Sequence, residues 1–434
     1  MKSIIRNTKI LVRAAGCMGR SVMARIRRQR AASVPDGPPC FVLYSIIPWD
    51  GVWQRPQHFA QRLARRYPVI YVDPIGIQHL ESGPHHPVVR RIHESLHVLQ
   101  PRVLPGGKTN SRISRLNDPI IMDHISSLVQ ELNLSRPVLI SNTPFADGIA
   151  RDPLWTMVVY DIIDDFISTS WAPPDAKARE NRLFSAAKTV FTGTYSLLEK
   201  KRGMHPEIEY IPCGVETDHF SKANLTDTPL PDDIRAIPRP VLGYFGALNE
   251  RIDADLIVNL AQAIPTASIV LIGPIMADFG LSDFEPRWAS VYNSTDQPGF
   301  RMKAMPPNIH MLGIRAYREL PSYLKAFDLC LMPYVINDVT RDIHPVKILE
   351  YLVSGRPVVS TAVPDVERFY TGLTDIARSY EEFCALVRKN LESDTPAAAQ
   401  ARIAFARSKS WEDMSDRMLA NIFRHMTYGT PTKS

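Results

Sequence analysis

The stretch NDVTRDIHPVKILEYLVSGRPVVST, residues 337–361, decides how the chain is read. It begins just after one apolar run, DLCLMP (328–333), and closes on another, PVVST (357–361). Pro345 suits the first turn of a helix, where its missing N–H costs nothing, and Gly355 suits the residue just past the end, so a short helix is predicted over about 345–354. Strand, helix, strand in that order is the unit of a parallel sheet. Val346, Leu349 and Val353 can face that sheet, which leaves Lys347, Glu350 and Ser354 along the other side at spacings of three and four. Unpaired N–H groups at a helix start favour an anion, and a diphosphate fits. A cation for that phosphate and, one turn on, a carboxylate for two ribose hydroxyls are what a nucleotide requires. On the residues alone, Lys347 and Glu350 read equally as an exposed ion pair worth about 0.5 kcal/mol.

Outward from this segment the pattern repeats. The first half offers the apolar runs 40–47, 69–73, 137–141, 156–160, 188–193 and 208–211, and the second offers 241–246, 268–273, 308–313, 328–333 and 357–361, with longer amphipathic stretches between them. That alternation predicts an α/β chain of two Rossmann-like domains, each a parallel sheet covered by helices on both faces. The proline-rich, charged segment 226–240 reads as the linker, with a first domain over 39–225, a second over 241–395 and C-terminal helices over 396–434 that return to the first. Neither half carries GxGxxG after its first strand, so a dinucleotide-dependent dehydrogenase lacks its main signature. Ligands of open α/β sheets sit at the carboxyl ends of the strands, which makes the polar residues there the ones to examine.

Composition narrows the classes further. The 434 residues hold 51 Lys and Arg against 45 Asp and Glu, but residues 1–30 alone carry nine of the basic residues and no acid, so the remainder is slightly acidic. No basic face for nucleic acid is expected on the folded body. Wound as a helix, residues 2–28 of the extension 1–38 would place Ile4, Leu11, Ala15, Met18, Val22 and Ile26 on one side and Lys2, Arg6, Lys9, Arg13, Arg20 and Arg27 on the other. That pattern suits an anionic membrane surface, against the plainer alternative of a frayed tail containing Gly16 and Gly19. No run is long enough to span a bilayer. Five widely spaced cysteines without a CxxC indicate neither a disulfide framework nor a zinc site, and a cytoplasmic protein, peripheral on the inner face of the cell membrane, is expected.

The segment 337–361 resembles the donor-binding signature of nucleotide-sugar glycosyltransferases of the B-type fold (GT-B), family-4-like, and the resemblance runs over residues 40–427. Two acidic residues eight apart mark that group; here they are Asp342, in place of the usual Glu, and Glu350, which the resemblance assigns to the ribose. The resemblance also implies that Arg251, in the loop GYFGALNERID (243–253), meets the diphosphate beside Gly246. It places Gly273 along the donor, and Gly313 with Ile314 against the base. Arg251 could otherwise pair with Glu250 or Asp253, and Tyr317 and Tyr323 read as packing residues.

Two clusters lie in the first half. WDGVWQRPQHF (49–59) follows the first strand and resembles a run in teichuronic acid and exopolysaccharide enzymes; Asp50, Trp53, Arg55 and His58 are the expected acceptor-binding residues, with Trp53 as a core cap the plainer alternative. YDIIDDF (160–166) closes a strand with Asp161, Asp164 and Asp165, where a carboxylate could take the proton of an attacking hydroxyl. The xanthan glucuronosyltransferase type has a similar motif. Asp161 is the first choice for the base, Asp165 suits a helix cap, and no metal is expected. IPCGVETDHF (211–220) resembles the family's crossover segment, with Glu216 and Asp218 near the site, and Trp411 anchors the last helix. The implied activity is transfer of a sugar from a nucleoside diphosphate, UDP before GDP and with no further cofactor, to a glycan or lipid-linked acceptor. A nucleotide-sugar epimerase and a silent binding scaffold are the alternatives.

Overall fold

The structure, a computed structural model, describes residues 37–51, 53–73, 87–104, 107, 110–169, 171–275, 305–337, 340–343 and 345–427. The basic extension 1–30 lies outside the described residues, and no helix among them is long and apolar enough to cross a membrane. Two compact units result: Met1–Pro212 with Trp411–Ser434, and Cys213–Ser410.

The first unit is built on β1 (Pro39–Tyr44), β2 (Val69–Val72), β3 (Val88–His93), β4 (Leu96–Gln100), β5 (Ser135–Ser141), β6 (Met157–Ile162), β7 (Thr189–Thr192) and β8 (Ile208–Tyr210), with helices α1 (Arg55–Leu63), α2 (Ser111–Glu131), α3 (Ala176–Ala186) and α4 (Tyr195–Lys201). The strand order is β3-β4-β2-β1-β5-β6-β7-β8, and all neighbours are parallel except the edge pair β3–β4. Every residue of β1 is buried, as a strand covered on both faces demands, whereas β3 is largely exposed. Val42, Ile70, Leu139 and Val158 from four strands meet Ile121 and Ile125 of α2 in one core.

The second unit comprises α5 (Thr217–Phe220), α6 (Asp232–Arg235), β9 (Val241–Phe245), α7 (Ala254–Ala263), β10 (Ser268–Ile272), β11 (Ile309–Gly313), α8 (Leu320–Ala326), β12 (Leu329–Met332), α9 (Lys347–Val353), β13 (Val358–Thr361), α10 (Pro364–Tyr370), β14 (Asp375–Ala377), α11 (Tyr380–Ser393) and α12 (Pro396–Arg407). Its six strands run β11-β10-β9-β12-β13-β14, all parallel. The last helix, α13 (Trp411–Thr427), belongs to the first unit, so the chain passes between units twice.

Two expected boundaries are corrected. The segment 226–240 is not a linker: Ile234 of α6 is 1% exposed within the second core, and the break falls between Pro212 and Cys213. Nor do residues 396–434 return as one piece. Arg402 of α12 donates from Nε and Nη2 to the Gly355 carbonyl at 3.0 and 2.8 Å, which keeps α12 in the second unit, and only α13 joins the first.

Candidate active site

Among the parallel strands of each sheet the order reverses once, between β9 and β12 in the second unit and between β1 and β5 in the first. Loops leaving neighbouring strands at such a point run in opposite directions and open a crevice at the carboxyl edge.

At the β9/β12 point three glycines stand side by side. Gly246 (φ 148°), Gly273 (φ 144°) and Gly313 (φ 72°) end β9, β10 and β11. Gly246 N donates to Ile272 O at 2.8 Å and Gly273 N to Gly313 O at 2.9 Å. A Cβ at Gly273 would lie 1.9 Å from the Gly246 carbonyl oxygen, and one at Gly246 would lie 2.0 Å from Lys347 Cε, so the lysine stem crosses directly over Gly246. Lys347 therefore reaches the end of β9 from the helix that follows β12. The helix is shorter than expected, Lys347–Val353.

Glu350, one turn along α9, is partly buried. Burial pushes its carboxyl up to about 7, the Lys347 charge opposing the shift and Glu216 adding to it. Glu216 precedes α5 and accepts from the Tyr317 hydroxyl at 2.7 Å. Tyr317 in turn stacks on His219 with ring centres 4.7 Å apart, so it does more than fill space. Arg251 stands in the loop after β9, and this loop is stitched to the one after β12: Val335 N donates to Arg251 O at 2.9 Å and Asp253 N to Pro333 O at 2.8 Å. Ile314 is 61% exposed just beyond Gly313. Asp342 ends a 3₁₀ turn, Thr340–Asp342, and its side chain lies outside the described residues. Lys347, Glu350, Gly246, Gly273 and Gly313 thus share one edge of one sheet, and the Arg251 loop adjoins it.

The first unit treats its expected residues differently. Asp161 is 1% exposed and both its oxygens are taken: Arg55 Nε lies 3.1 and 3.0 Å from Oδ1 and Oδ2, Arg55 Nη2 2.7 Å from Oδ1, and Asn142 Nδ2 2.9 Å from Oδ2. Arg55 Nη1 donates to the Ile211 carbonyl at 2.6 Å. Asp161, at 1% exposure, has no route to a substrate hydroxyl, and Arg55, at 3% exposure, turns all three of its nitrogens to partners inside the unit. The expectations for Asp161 as base and Arg55 as acceptor ligand are corrected on that ground. His58 is also interior: it is 3% exposed and stacks on Trp411 of α13 at 4.5 Å.

Asp165 is held by Lys200, by Ser168 Oγ at 2.7 Å and by Lys201 at 3.5 Å; burial raises its carboxyl, but these partners outweigh it and leave it below the usual range. It does not cap the following turn with its side chain. Asp164, partly buried, accepts from Asp165 N at 2.8 Å and is the most accessible of the three. Asp50 is exposed and paired with Arg90 at 2.6 Å, while Trp53 lies edge-on to Trp49 at 5.6 Å. Asn142 was not singled out in the sequence, although as the first residue past β5 it stands where polar residues at strand ends are informative. No cluster of three His, Cys, Asp or Glu among the described residues is placed to hold a metal ion.

Comparison with protein families falls on the second unit. Residues 239–392 match the family described as glycosyl transferases group 1. A protein of Bacillus subtilis (strain 168) named as a teichuronic acid biosynthesis glycosyltransferase is 24% identical over 280 residues, covering 59% of this chain and 64% of its own length. The chain therefore spans a little under two thirds of that relative. Among solved structures, a sucrose-phosphate synthase from Thermosynechococcus elongatus superposes with a TM-score of 0.64 at 13% identity, and an α,α-trehalose 6-phosphate synthase from Burkholderia multivorans with 0.66 at 12%. Each match covers 91% of this chain and 100% of the other. The fold is GT-B, and residues 239–392 of its second unit are similar to the group 1 glycosyl transferases.

Proposed function

We propose that the chain transfers a hexosyl group from a nucleoside-diphosphate sugar, UDP in first place, to a glycan or lipid-linked acceptor in the assembly of a cell-surface polysaccharide. The observation that carries this reading is Lys347 lying across Gly246 at the strand-order reversal of the group 1 domain, one helical turn from Glu350. In this reading the glycine main chain admits a diphosphate to close approach. Lys347 and Arg251 stabilise the charge that grows on the leaving nucleotide as the glycosidic bond breaks. Glu350 accepts from the ribose hydroxyls, and Tyr317 fixes Glu216 beside it. Asp164 takes over from Asp161 as the carboxylate of the first unit able to meet an acceptor hydroxyl, with Trp53 and Asp50 along the acceptor.

The test is calorimetry with UDP, GDP and ADP on the wild-type chain and on Lys347→Ala and Glu350→Ala. Each variant should lose about 1–3 kcal/mol of nucleotide binding, because each removes one partner of a charge-assisted contact. Unchanged affinity in both would remove the donor assignment. The basic extension is proposed to hold the enzyme on the inner face of the membrane, and deleting residues 1–30 should release it from anionic vesicles; equal retention would remove that role.

A further inference from the structure

Among the described residues five arginines are buried, and four of them are answered by the fold. Arg55 meets Asp161, Arg62 meets Glu412, Arg179 meets Asp147, and Arg402 meets Asp394. The fifth, Arg102, is 7% exposed, and its Nε and Nη1 are sealed from solvent without a hydrogen-bond partner among the described residues. A guanidinium cannot neutralise itself by losing a proton, so burying it unanswered is costly, and a fold that keeps it there gains from an anion arriving later.

The position of Arg102 says which kind of anion. It lies two residues past the end of β4, and β4 runs parallel to β2, so it stands at the carboxyl edge of the sheet, the edge at which open α/β sheets bind ligands. The segment is held firmly: Leu104 N donates to Asn117 Oδ1 at 2.9 Å and Asn117 Nδ2 returns to Leu104 O at 3.0 Å. The strand ends are tied together through Asp73, which accepts from Gln100 Nε2 at 2.8 Å on the β4 side and from Trp49 N at 2.8 Å on the β1 side. Trp49 carries Trp53 beside it. One rim therefore joins Trp53, a ring of the kind on which sugars stack, to a cation unanswered among the described residues.

We infer that Arg102 binds an oxyanion borne by the acceptor, a phosphate or a uronate carboxylate, at the carboxyl edge of the first unit's sheet. The inference rests on the reading of this unit as the acceptor side. A fork of N–H donors matches either group bidentately, and the anion supplies the counter-charge that no described residue provides.

The experiment follows thermal unfolding of the full chain with glucose 1-phosphate, glucuronate and glucose as probes, in the wild type, in Arg102→Met and in Lys347→Ala. The wild type should be stabilised by at least one anionic probe and not by glucose. Stabilisation by glucose 1-phosphate alone assigns phosphate, and by glucuronate alone assigns carboxylate. Arg102→Met should lose this response, its affinity for the probe falling about tenfold or more, while unfolding without ligand at the same or a higher temperature than the wild type. No response to either anion, a response that survives in Arg102→Met but vanishes in Lys347→Ala, or an Arg102→Met chain that is less stable without ligand or fails to fold would each overturn the inference, the last by showing a structural arginine. Nucleoside diphosphate binding, measured alongside, keeps the two readings apart: retained in the absence of an anion response, it sinks Arg102 alone, and absent in the wild type, it sinks the donor assignment.

Discussion

Asp161 and Arg55 are 106 residues apart in the chain and meet with 1% and 3% of their side chains exposed, so removing one charge strands the other in the interior. Asp161→Asn should accordingly destabilise the first unit by about 3–5 kcal/mol, the cost of stranding a buried partner charge. Denaturant unfolding reads this directly; a variant with wild-type stability but no turnover would restore Asp161 to the chemistry. Glu350 makes a different prediction, one of pH dependence. Its carboxyl is raised from 4.5 to about 7, so the folded state holds the proton more tightly than the unfolded one, and its contribution to stability is present at low pH and is lost as pH rises through that window. Ribose hydroxyls donate to the ionised form, so nucleotide affinity should rise between about pH 6 and about pH 8, and Glu350→Gln should flatten the rise. A rise of the same size in Glu350→Gln would assign it to another group. Lys347 and Glu350 were legible in the sequence because helical spacing places them on one face. The Arg55–Asp161 pair was not, since no local pattern announces a partner so far along the chain.

The elements that position the donor side depend on backbone more than on side chains. Gly273 occupies φ 144° with the Gly246 carbonyl where a Cβ would stand, and the obstruction is main chain that cannot rotate away. Gly273→Ala should cost about 1–3 kcal/mol in backbone strain before the clash is counted, and should weaken nucleotide binding by displacing the β9 end against which Lys347 rests. A thermal scan and a nucleotide titration of the same sample check both effects; unchanged values would mean that the turn tolerates a side chain. All eleven strands expected from apolar runs are present, each within a few residues of its expected limits. Three were missed, for separate reasons. β3 sits at an edge, so VVRRIH has no continuous apolar run; β4 interleaves His97 with its apolar residues; β14 is only three residues long. Burial on both faces produces the runs that make a strand legible, and these three lack such a run.

On the scale of the whole molecule, the composition of 226–240 suggested where the chain should loosen, and the packing decided otherwise. Proline and charge mark the absence of regular structure without marking the absence of contacts, and Ile234 needs only one turn of helix to reach the second core. The passages between units lie instead at Pro212–Cys213 and Ser410–Trp411, and just inside the second unit the two strands of chain are bound together, Val215 N donating to Lys409 O at 2.9 Å. This arrangement makes α13 a part of the first unit supplied from beyond the second. Trp411, 1% exposed, stacks on His58 at 4.5 Å and meets Phe59 edge-on at 5.5 Å, so α1 and α13 close over one aromatic contact. Trp411→Ala should therefore cost about 3–5 kcal/mol, the usual loss for a large aromatic side chain removed from a core. The loss should fall on the first unit, to which α13 and both aromatic partners of Trp411 belong. Unfolding followed by two probes separates the outcomes. The first unit's transition should move to lower temperature while the nucleotide affinity of the still-folded chain stays at the wild-type value. If Trp411→Ala weakens nucleotide binding as much as it lowers that transition, the last helix governs the donor side too, and its assignment to the first unit alone does not describe how the molecule works.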